Sequence, residues 1–156
     1  MKKFIFCCLV VLMGSCKDKD DAPEADFAPT FVGDYWTGTA DPASTINHTW
    51  NVTAMSKNQL GIVYTKEVTL SAAGIEVKTE QKFALANVVV NAKDTFTINE
   101  EVDVEQTGRA TFKQKVEGIG TLVTNAAGTP QINITLRIKN SSTLATTEEY
   151  LEFKKK

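Results

Sequence analysis

Five polar side chains fall on the apolar faces of alternating segments in this sequence. They are His48, Lys66, Gln81, Glu100 and Gln114. Alternation with a period of two places each of them beside apolar neighbours, on the face that turns towards the core of a sheet. Burying an unpaired charge is costly, so these side chains either make ordinary hydrogen bonds near strand ends or line the entrance of a ligand cavity. We treat all five as candidate ligand-binding residues.

Large aromatic side chains form a second candidate set. Tyr35, Trp36, Trp50 and Tyr64 are candidate ligand-binding residues, and Phe83, Phe96 and Phe112 lie in similar segments. Aromatic residues that face inward either fill the interior or form the wall of an apolar pocket, and the close packing of protein interiors favours filling. An exposed Trp36 or Trp50 would instead offer a flat apolar surface on which a sugar ring could stack.

Motifs of catalysis and metal binding are missing from the sequence. It contains no Gly-X-Ser-X-Gly elbow, no P-loop and no His-Glu-X-X-His motif, and His48 is its one histidine. Glu101, Asp103 and Glu105 share the outward face of one segment, which is typical of solvated carboxylates. We therefore predict a protein that is not an enzyme and that holds no metal or cofactor. A hydrolase would require His48 to lie beside a carboxylate or hydroxyl in a cleft.

Cys16 is the cysteine whose position indicates chemical modification. It follows a cationic start and an apolar run from Phe4 to Met13, which at about ten residues is too short to span a bilayer as a helix. Residues 1–15 therefore read as a secretory signal peptide. The end of this segment, Leu12-Met13-Gly14-Ser15-Cys16, resembles the bacterial lipobox, which implies that Cys16 is acylated and becomes the mature N-terminus. The alternative is an ordinary signal peptide with an incidental cysteine.

The segment from Cys16 to residue 30 is predicted to be a flexible tether. Its run Lys17-Asp18-Lys19-Asp20-Asp21 cannot form a core and is followed by prolines. A cysteine followed by lysine and clustered aspartates resembles the export signal that sends lipoproteins of Bacteroidota to the outer face of the outer membrane. The resemblance implies a lipid-anchored protein at the cell surface, held by its acyl chains. A spacer on the periplasmic side of the outer membrane is the alternative.

Composition limits what the remaining residues, 31–156, can be. They are enough for a single domain with a sizeable core. Loss of Lys2 and Lys3 with the leader takes the formal net charge from −2 to −4, and no basic stripe is visible, which argues against a nucleic-acid partner. Cys7 and Cys8 also leave with the leader, so the domain has no disulfide.

Alternating segments separated by short turns predict an all-β fold. The segments are centred on residues 34–40, 45–55, 60–70, 75–85, 96–104, 110–116, 132–138 and 148–153. They give eight strands, or nine if Val88 to Val90 forms its own strand. Short turns connect neighbours, so we predict an antiparallel meander that closes into a barrel. A two-sheet sandwich is the competing architecture.

The first strand carries a further resemblance. Gly33 followed by Tyr35, with Trp36 one place later, is similar to the Gly-X-Trp start of lipocalins and other calycins. Those barrels place a basic residue over the aromatic ring, and Arg137 is the counterpart by position. The resemblance implies a small lipocalin-like lipoprotein of Bacteroidota, of the lipid-binding type, whose barrel holds a small apolar or amphipathic molecule. A surface accessory that binds glycan or a partner protein is the alternative function.

The Cys16→Ala substitution tests the proposed anchor. We expect the variant to be released from the membrane and to fold unchanged, because the acyl chains supply the membrane contact. Incorporation of radiolabelled palmitate and fractionation measure the first effect, and circular dichroism measures the second. Cys8→Ala is the matched control and should still be labelled, since Cys8 lies within the leader. Unfolding of the Cys16→Ala domain would contradict this division between anchor and fold.

Overall fold

The computed structural model describes residues 25–72 and 74–156. The predicted signal peptide, Cys16 and most of the predicted tether lie outside the described residues. Across the described ranges no helix is long and apolar enough to cross a membrane. The order of elements is a short helix α1 and then eight strands: α1 Ala28–Phe31, β1 Gly33–Ala40, β2 Ser44–Ser56, β3 Gln59–Ala72, β4 Ile75–Ala92, β5 Thr95–Gln106, β6 Arg109–Thr124, β7 Pro130–Asn140 and β8 Thr146–Lys155.

Each strand pairs antiparallel with the next, and β8 returns to β1, so the sheet is a closed barrel. This confirms the predicted eight-stranded meander barrel, and the sandwich does not form. Residues 88–90 belong to β4 and are not a ninth strand. Leu60 pairs with Val88 and Ile62 pairs with Leu85, so β4 has one extra residue between these two pairs. This bulge shifts the alternation by one residue, which lets Leu85 and Val88 both face the core.

Aromatic rings fill the interior at one end of the barrel, where α1 and the β2–β3, β4–β5 and β6–β7 turns lie. We call this the closed end. Trp50 stacks on Phe153 with ring centroids 4.1 Å apart, and Tyr64 stacks on Phe83 at 4.9 Å. Phe31 of α1 packs edge to face against Phe96, with ring centroids 5.4 Å apart, and covers this end of the interior. These side chains are at most 1% exposed. Of the two alternatives for the aromatic set, filling is the one observed in this half.

The first described residues dock on the β2–β3 turn. The Asn58 side chain accepts a hydrogen bond from the N–H of Phe27 and donates one to the carbonyl of Ala25. Asp26 accepts the N–H of Asn58 in return. Asn58 has φ of 54°, a left-handed turn conformation that asparagine tolerates. Residues 25–30, assigned to the tether by the sequence, therefore pack on the barrel in the structure.

The barrel is joined unevenly along the seam, the junction between β1 and β8. The paired residues there are Tyr35 with Lys155 and Trp36 with Lys154. On its other side β1 pairs with β2 from Gly33 to Ala40. Beyond Trp36, β1 and β8 therefore diverge towards the opposite, open end of the barrel, which carries the β1–β2, β3–β4, β5–β6 and β7–β8 turns.

Candidate functional site

Inner-face side chains at the open end are only partly covered. Leu70 of β3 and Val77 of β4 lie on the same face as the core residues of those strands, yet they are 51% and 55% exposed. The β3–β4 hairpin extends beyond the last β4–β5 pair, Gln81 with Gln106, so in the described residues β5 does not continue beside it. We call the inner face between His48 and the open-end turns the mouth: Ile46, Lys66, Val68, Leu70, Val77, Gln81, Gln114 and Glu149.

His48 forms the floor of the mouth. It is 2% exposed, and its Nδ1 lies 2.8 Å from the hydroxyl oxygen of Tyr64. Burial raises the pKa of Tyr64, so the phenol keeps its proton. A carboxylate oxygen of Glu149 lies on the Nε2 side of the ring, which favours the tautomer whose Nδ1 accepts from the Tyr64 hydroxyl. In a neutral ring the proton then sits on Nε2, which is 3.5 Å from Oε1 of Glu149.

An ion pair crosses the interior above this histidine. Lys66 Nζ of β3 lies 3.1 Å from Oε2 of Glu149 in β8. Because β1 and β2 separate these two strands in the sheet, the contact spans the mouth and does not follow a strand pair. Desolvation lowers the pKa of His48, Glu149 opposes that shift and Lys66 adds to it. The floor is therefore a neutral imidazole below a partly solvated ion pair.

The remaining polar candidates have different surroundings. Gln81 donates a hydrogen bond to Gln106 across the β4–β5 pair at 3.3 Å. Gln114 Oε1 is buried and accepts no hydrogen bond from the described residues. A buried acceptor of this kind is costly unless a donor reaches it, so Gln114 is a natural contact for a ligand donor group.

Glu100 has a structural role. The β4–β5 pairing is interrupted between Phe83–Val104 and Val89–Thr97. Within this gap the Glu100 carboxylate accepts the backbone N–H of Asn87 at 3.2 Å and its side-chain amide at 3.1 Å. The carboxylate thus replaces missing ladder hydrogen bonds, and its acceptor capacity is used within the barrel wall.

The aromatic pair at the start of β1 divides between core and surface. Tyr35 is fully buried, its hydroxyl donates to the carbonyl of Phe31 at 2.9 Å, and burial raises its pKa to about 12. Lys155 Nζ lies 5.6 Å from the centre of this ring, in the place expected for Arg137. Arg137 instead points outward, 3.9 Å from Glu117. A basic residue does cover the first-strand aromatic, but it comes from β8.

Trp36 lies on the outer surface and is 45% exposed. It borders an open cleft of about 270 Å³ over β1, β2 and β3. The cleft is lined mainly by polar side chains: Asn47, Thr49, Thr65, Glu67 and Lys156. An indole beside amide, hydroxyl and carboxylate groups forms a surface with one flat apolar part and several hydrogen-bonding groups.

A second cleft of about 280 Å³ lies where β1 and β8 diverge. Thr37, Gly38 and Thr39 form one side, and residues 149–152 form the other. His48 reaches this cleft from the inside, so it is shared between the mouth and the diverging part of the seam.

The structure therefore brings together part of the predicted set. His48, Tyr64 and Lys66 are in one cluster, with Gln81 and Gln114 elsewhere on the mouth. Trp50 and Tyr35 are core residues, Trp36 faces outward, and Glu100 joins two strands.

Sequence reasoning missed Glu149, Leu70 and Val77 as site residues. The alternation of Glu149 with Leu151 and Phe153 is the signal that puts this glutamate on an inner face.

The geometry needed for a hydrolase is present only in part. His48 does lie beside a carboxylate and a hydroxyl, those of Glu149 and Tyr64. Among the described residues no serine, threonine or cysteine donates a hydrogen bond to it, and no group of three or more potential metal ligands occurs. The hydroxyl within hydrogen-bonding distance of His48 belongs to the buried Tyr64, and burial raises the pKa of that phenol, so it holds its proton tightly.

Comparison of the chain with protein-family models, with curated proteins and with solved structures gives no match.

Acid should destabilise the folded chain through His48. Its folded-state pKa lies below the ordinary value of 6.5. The unfolded chain then takes up a proton that the folded chain does not, so stability is fully present above about pH 6.5 and falls below it. His48→Gln should lose this part of the pH dependence. Urea unfolding of both proteins at about pH 7.5 and about pH 5.5 measures the difference.

Nuclear magnetic resonance gives a direct control, because the sequence has one histidine. Imidazole nitrogen shifts should show a proton on Nε2 at neutral pH and a midpoint below 6.5. Titration at or above that value, or equal pH dependence in the His48→Gln variant, would contradict the buried neutral imidazole.

Proposed function

We propose that the protein is a lipid-anchored, calycin-like binding protein of a bacterial outer membrane. It binds a small amphipathic molecule at the mouth of the barrel and does not transform it. The observation that carries the proposal is the exposed apolar inner face of the β3–β4 hairpin directly beside the Lys66–Glu149 ion pair.

The apolar part of the mouth is continuous. Ile46 pairs with Val68 across β2 and β3, and Leu70 pairs with Val77 across β3 and β4. Directly opposed side chains of this kind make one surface. An apolar chain lying on this surface would bury apolar area that the hairpin exposes to water. Such burial stabilises a complex by about 25 cal/mol per Å².

The polar part of the mouth suits a head group with both donors and acceptors. Lys66 offers donors, Glu149 offers acceptors, and Gln114 Oε1 is an acceptor without a partner among the described residues. Since aromatic rings fill the closed end, the ligand would sit in the open half with its head near His48 and its tail along the hairpin.

The anchor fits this arrangement. Residues from Cys16 to Glu24 can span at most about 30 Å, and the described chain begins at the closed end, beside Asn58. A lipid on Cys16 would therefore attach at the end opposite the mouth, leaving the mouth accessible to ligands from solution. The placement at the cell surface rests on the aspartate-rich segment after Cys16, with the periplasmic face as the alternative.

Leu70→Asp tests the mouth as the binding site. Dodecanoate, kept below its micellar concentration, serves as the amphipathic probe for a chain that starts at Ala25. A charge in the apolar surface should weaken binding by about tenfold, equivalent to about 1.4 kcal/mol, in calorimetric titration. Val89→Asp is the matched control and should bind normally, because Val89 is similarly exposed, at 52%, on the outer face of β4.

Native mass spectrometry should show one dodecanoate per chain, lost in Leu70→Asp. Equal effects of Leu70→Asp and Val89→Asp, or no binding of dodecanoate and of a neutral dodecyl maltoside, would rule out the mouth as an amphiphile site.

A second candidate function, glycan binding on the outer face, is favoured by Trp36. Its indole is 45% exposed beside the polar cleft formed by Asn47, Thr49 and Glu67. A sugar ring could stack on the indole while its hydroxyls reach these side chains. His48 also borders this cleft, but Trp36 faces outward whereas Leu70 lies on the inner face, so the two functions can be tested separately in one protein.

Trp36→Ala tests the glycan surface. If it binds sugars, the substitution should abolish retention of the protein on a glycan array and on immobilised polysaccharides. Tyr150→Ala is the matched control, because Tyr150 is an exposed aromatic residue, at 59%, on the outer face of β8. Binding that survives Trp36→Ala, or no binding by the unmodified protein, would exclude this function.

A further inference from the structure

Among the described residues, two strand edges have no pairing strand along the diverging part of the seam. Thr37–Ala40 pair with β2 on one side only, and Thr146–Phe153 pair with β7 on one side only. Along a strand, backbone N–H and C=O groups point alternately to both sides. Both edges therefore present backbone donors and acceptors to the cleft of about 280 Å³ between them.

We propose that the diverging part of the seam binds an extended basic peptide segment as an additional strand of the barrel. Its backbone would pair with Thr37–Ala40, with residues 147–152, or with both. This partner lies outside the proposed small-ligand function. The cleft shares His48 and Glu149 with the mouth, but the backbone edges that would bind the peptide do not depend on a ligand in the mouth.

A comparison within the barrel supports this proposal. The interruption between β4 and β5 is filled by the protein itself, through the Glu100 carboxylate and the backbone N–H of Asn87. At the seam, among the described residues, no side-chain hydrogen bond joins Thr37–Ala40 to β8. One break in the sheet is thus closed internally, and the other stays available to a chain from outside.

The β1 edge also lacks the features that protect exposed edges. Lysine, proline, bulges and inward charges usually block the addition of strands. Residues 37–40 are Thr, Gly, Thr and Ala, which are small and uncharged. They leave room for an incoming backbone, as in proteins that bind peptides by strand addition.

Charge selects the partner. The β8 side of the cleft carries Glu149 and Glu152, while the β1 side carries no charge. Glu149 is paired with Lys66. The exposed Glu152 accepts the Tyr150 hydroxyl through Oε1 at 3.4 Å, and its second carboxylate oxygen can accept from a basic residue of the peptide. The protein's own residues 17–24 are rich in aspartate, and residue 25 lies at the closed end, so a foreign basic peptide fits better than this segment.

The experiment uses the full lipidated chain in nanodiscs and the peptide acetyl-Thr-Lys-Thr-Lys-Thr-Lys-amide. Amide hydrogen exchange should slow at Thr37–Ala40, at residues 147–152 or at both when the peptide is added, and slowing at neither edge would overturn the proposal. A version with alternate backbone nitrogens methylated should bind at least about tenfold more weakly, because strand addition depends on main-chain hydrogen bonds. Equal binding of the methylated peptide, or no binding at about 1 mM, would overturn the proposal.

A charge-reversal pair tests the acidic side. Glu152→Lys should weaken peptide binding by at least about threefold, whereas Glu105→Lys, at an exposed outer-face position of β5, should not. Equal losses would indicate general charge attraction and overturn the proposal.

The unliganded protein distinguishes other occupants. Protection of Thr37–Ala40 before any peptide is added, lost in a chain that starts at Ala25, would assign the seam to residues 17–24 and overturn the proposal. Protection that rises with protein concentration would assign the seam to a second copy of the chain, with the same consequence.

Discussion

The stacking of Trp50 on Phe153 is the contact on which this barrel most depends. These rings belong to β2 and β8 and meet behind β1, with their centroids 4.1 Å apart. In the described residues the β1–β8 ladder has two residue pairs and one further backbone hydrogen bond, from Lys156 to Asp34. Side-chain packing therefore supplies much of the closure that backbone hydrogen bonds supply elsewhere. Large rings held in contact need a filled interior, and filling favours the tight packing typical of protein cores. A hollow cavity and this mode of closure are therefore in conflict within the closed half.

Because aromatic rings fill the closed half, the polar side chains of the interior lie beyond the rings, towards the open end. Tyr64 contacts both the aromatic and the polar part of the interior, since its ring stacks on Phe83 and its hydroxyl hydrogen-bonds His48. Above it, Lys66 and Glu149 make a second contact across the interior, between strands that are not neighbours in the sheet. The ion pair is partly solvated, so its energetic contribution is modest. Its main effect is geometric, because it fixes where the polar part of the mouth lies relative to the apolar hairpin.

The sequence predicted the meander and the inner faces because both follow from a period of two. His48, Lys66, Gln81, Glu100 and Gln114 do lie on inner faces. Alternation does not show whether another strand covers a face, which is why Leu70 and Val77 are exposed although they follow the core pattern. The bulge in β4 and the gap filled by Glu100 depend on strand register, and the Lys66–Glu149 contact joins residues 83 positions apart. Such long-range pairings leave no local signal.

The docking of the first described residues on Asn58 has a mechanical consequence. A protein held by an acyl chain at Cys16 would be pulled through its N-terminal segment whenever a bound partner moved away from the membrane. The hydrogen bonds from Asn58 to Ala25 and Phe27, and the one to Asp26, would meet that force before it reached β1. Such a force would reach the β2–β3 turn before the seam, where β1 has its shorter junction. If Cys16 carries the lipid, Asn58 would then protect the junction of β1 with β8 from pulling on the N-terminal segment.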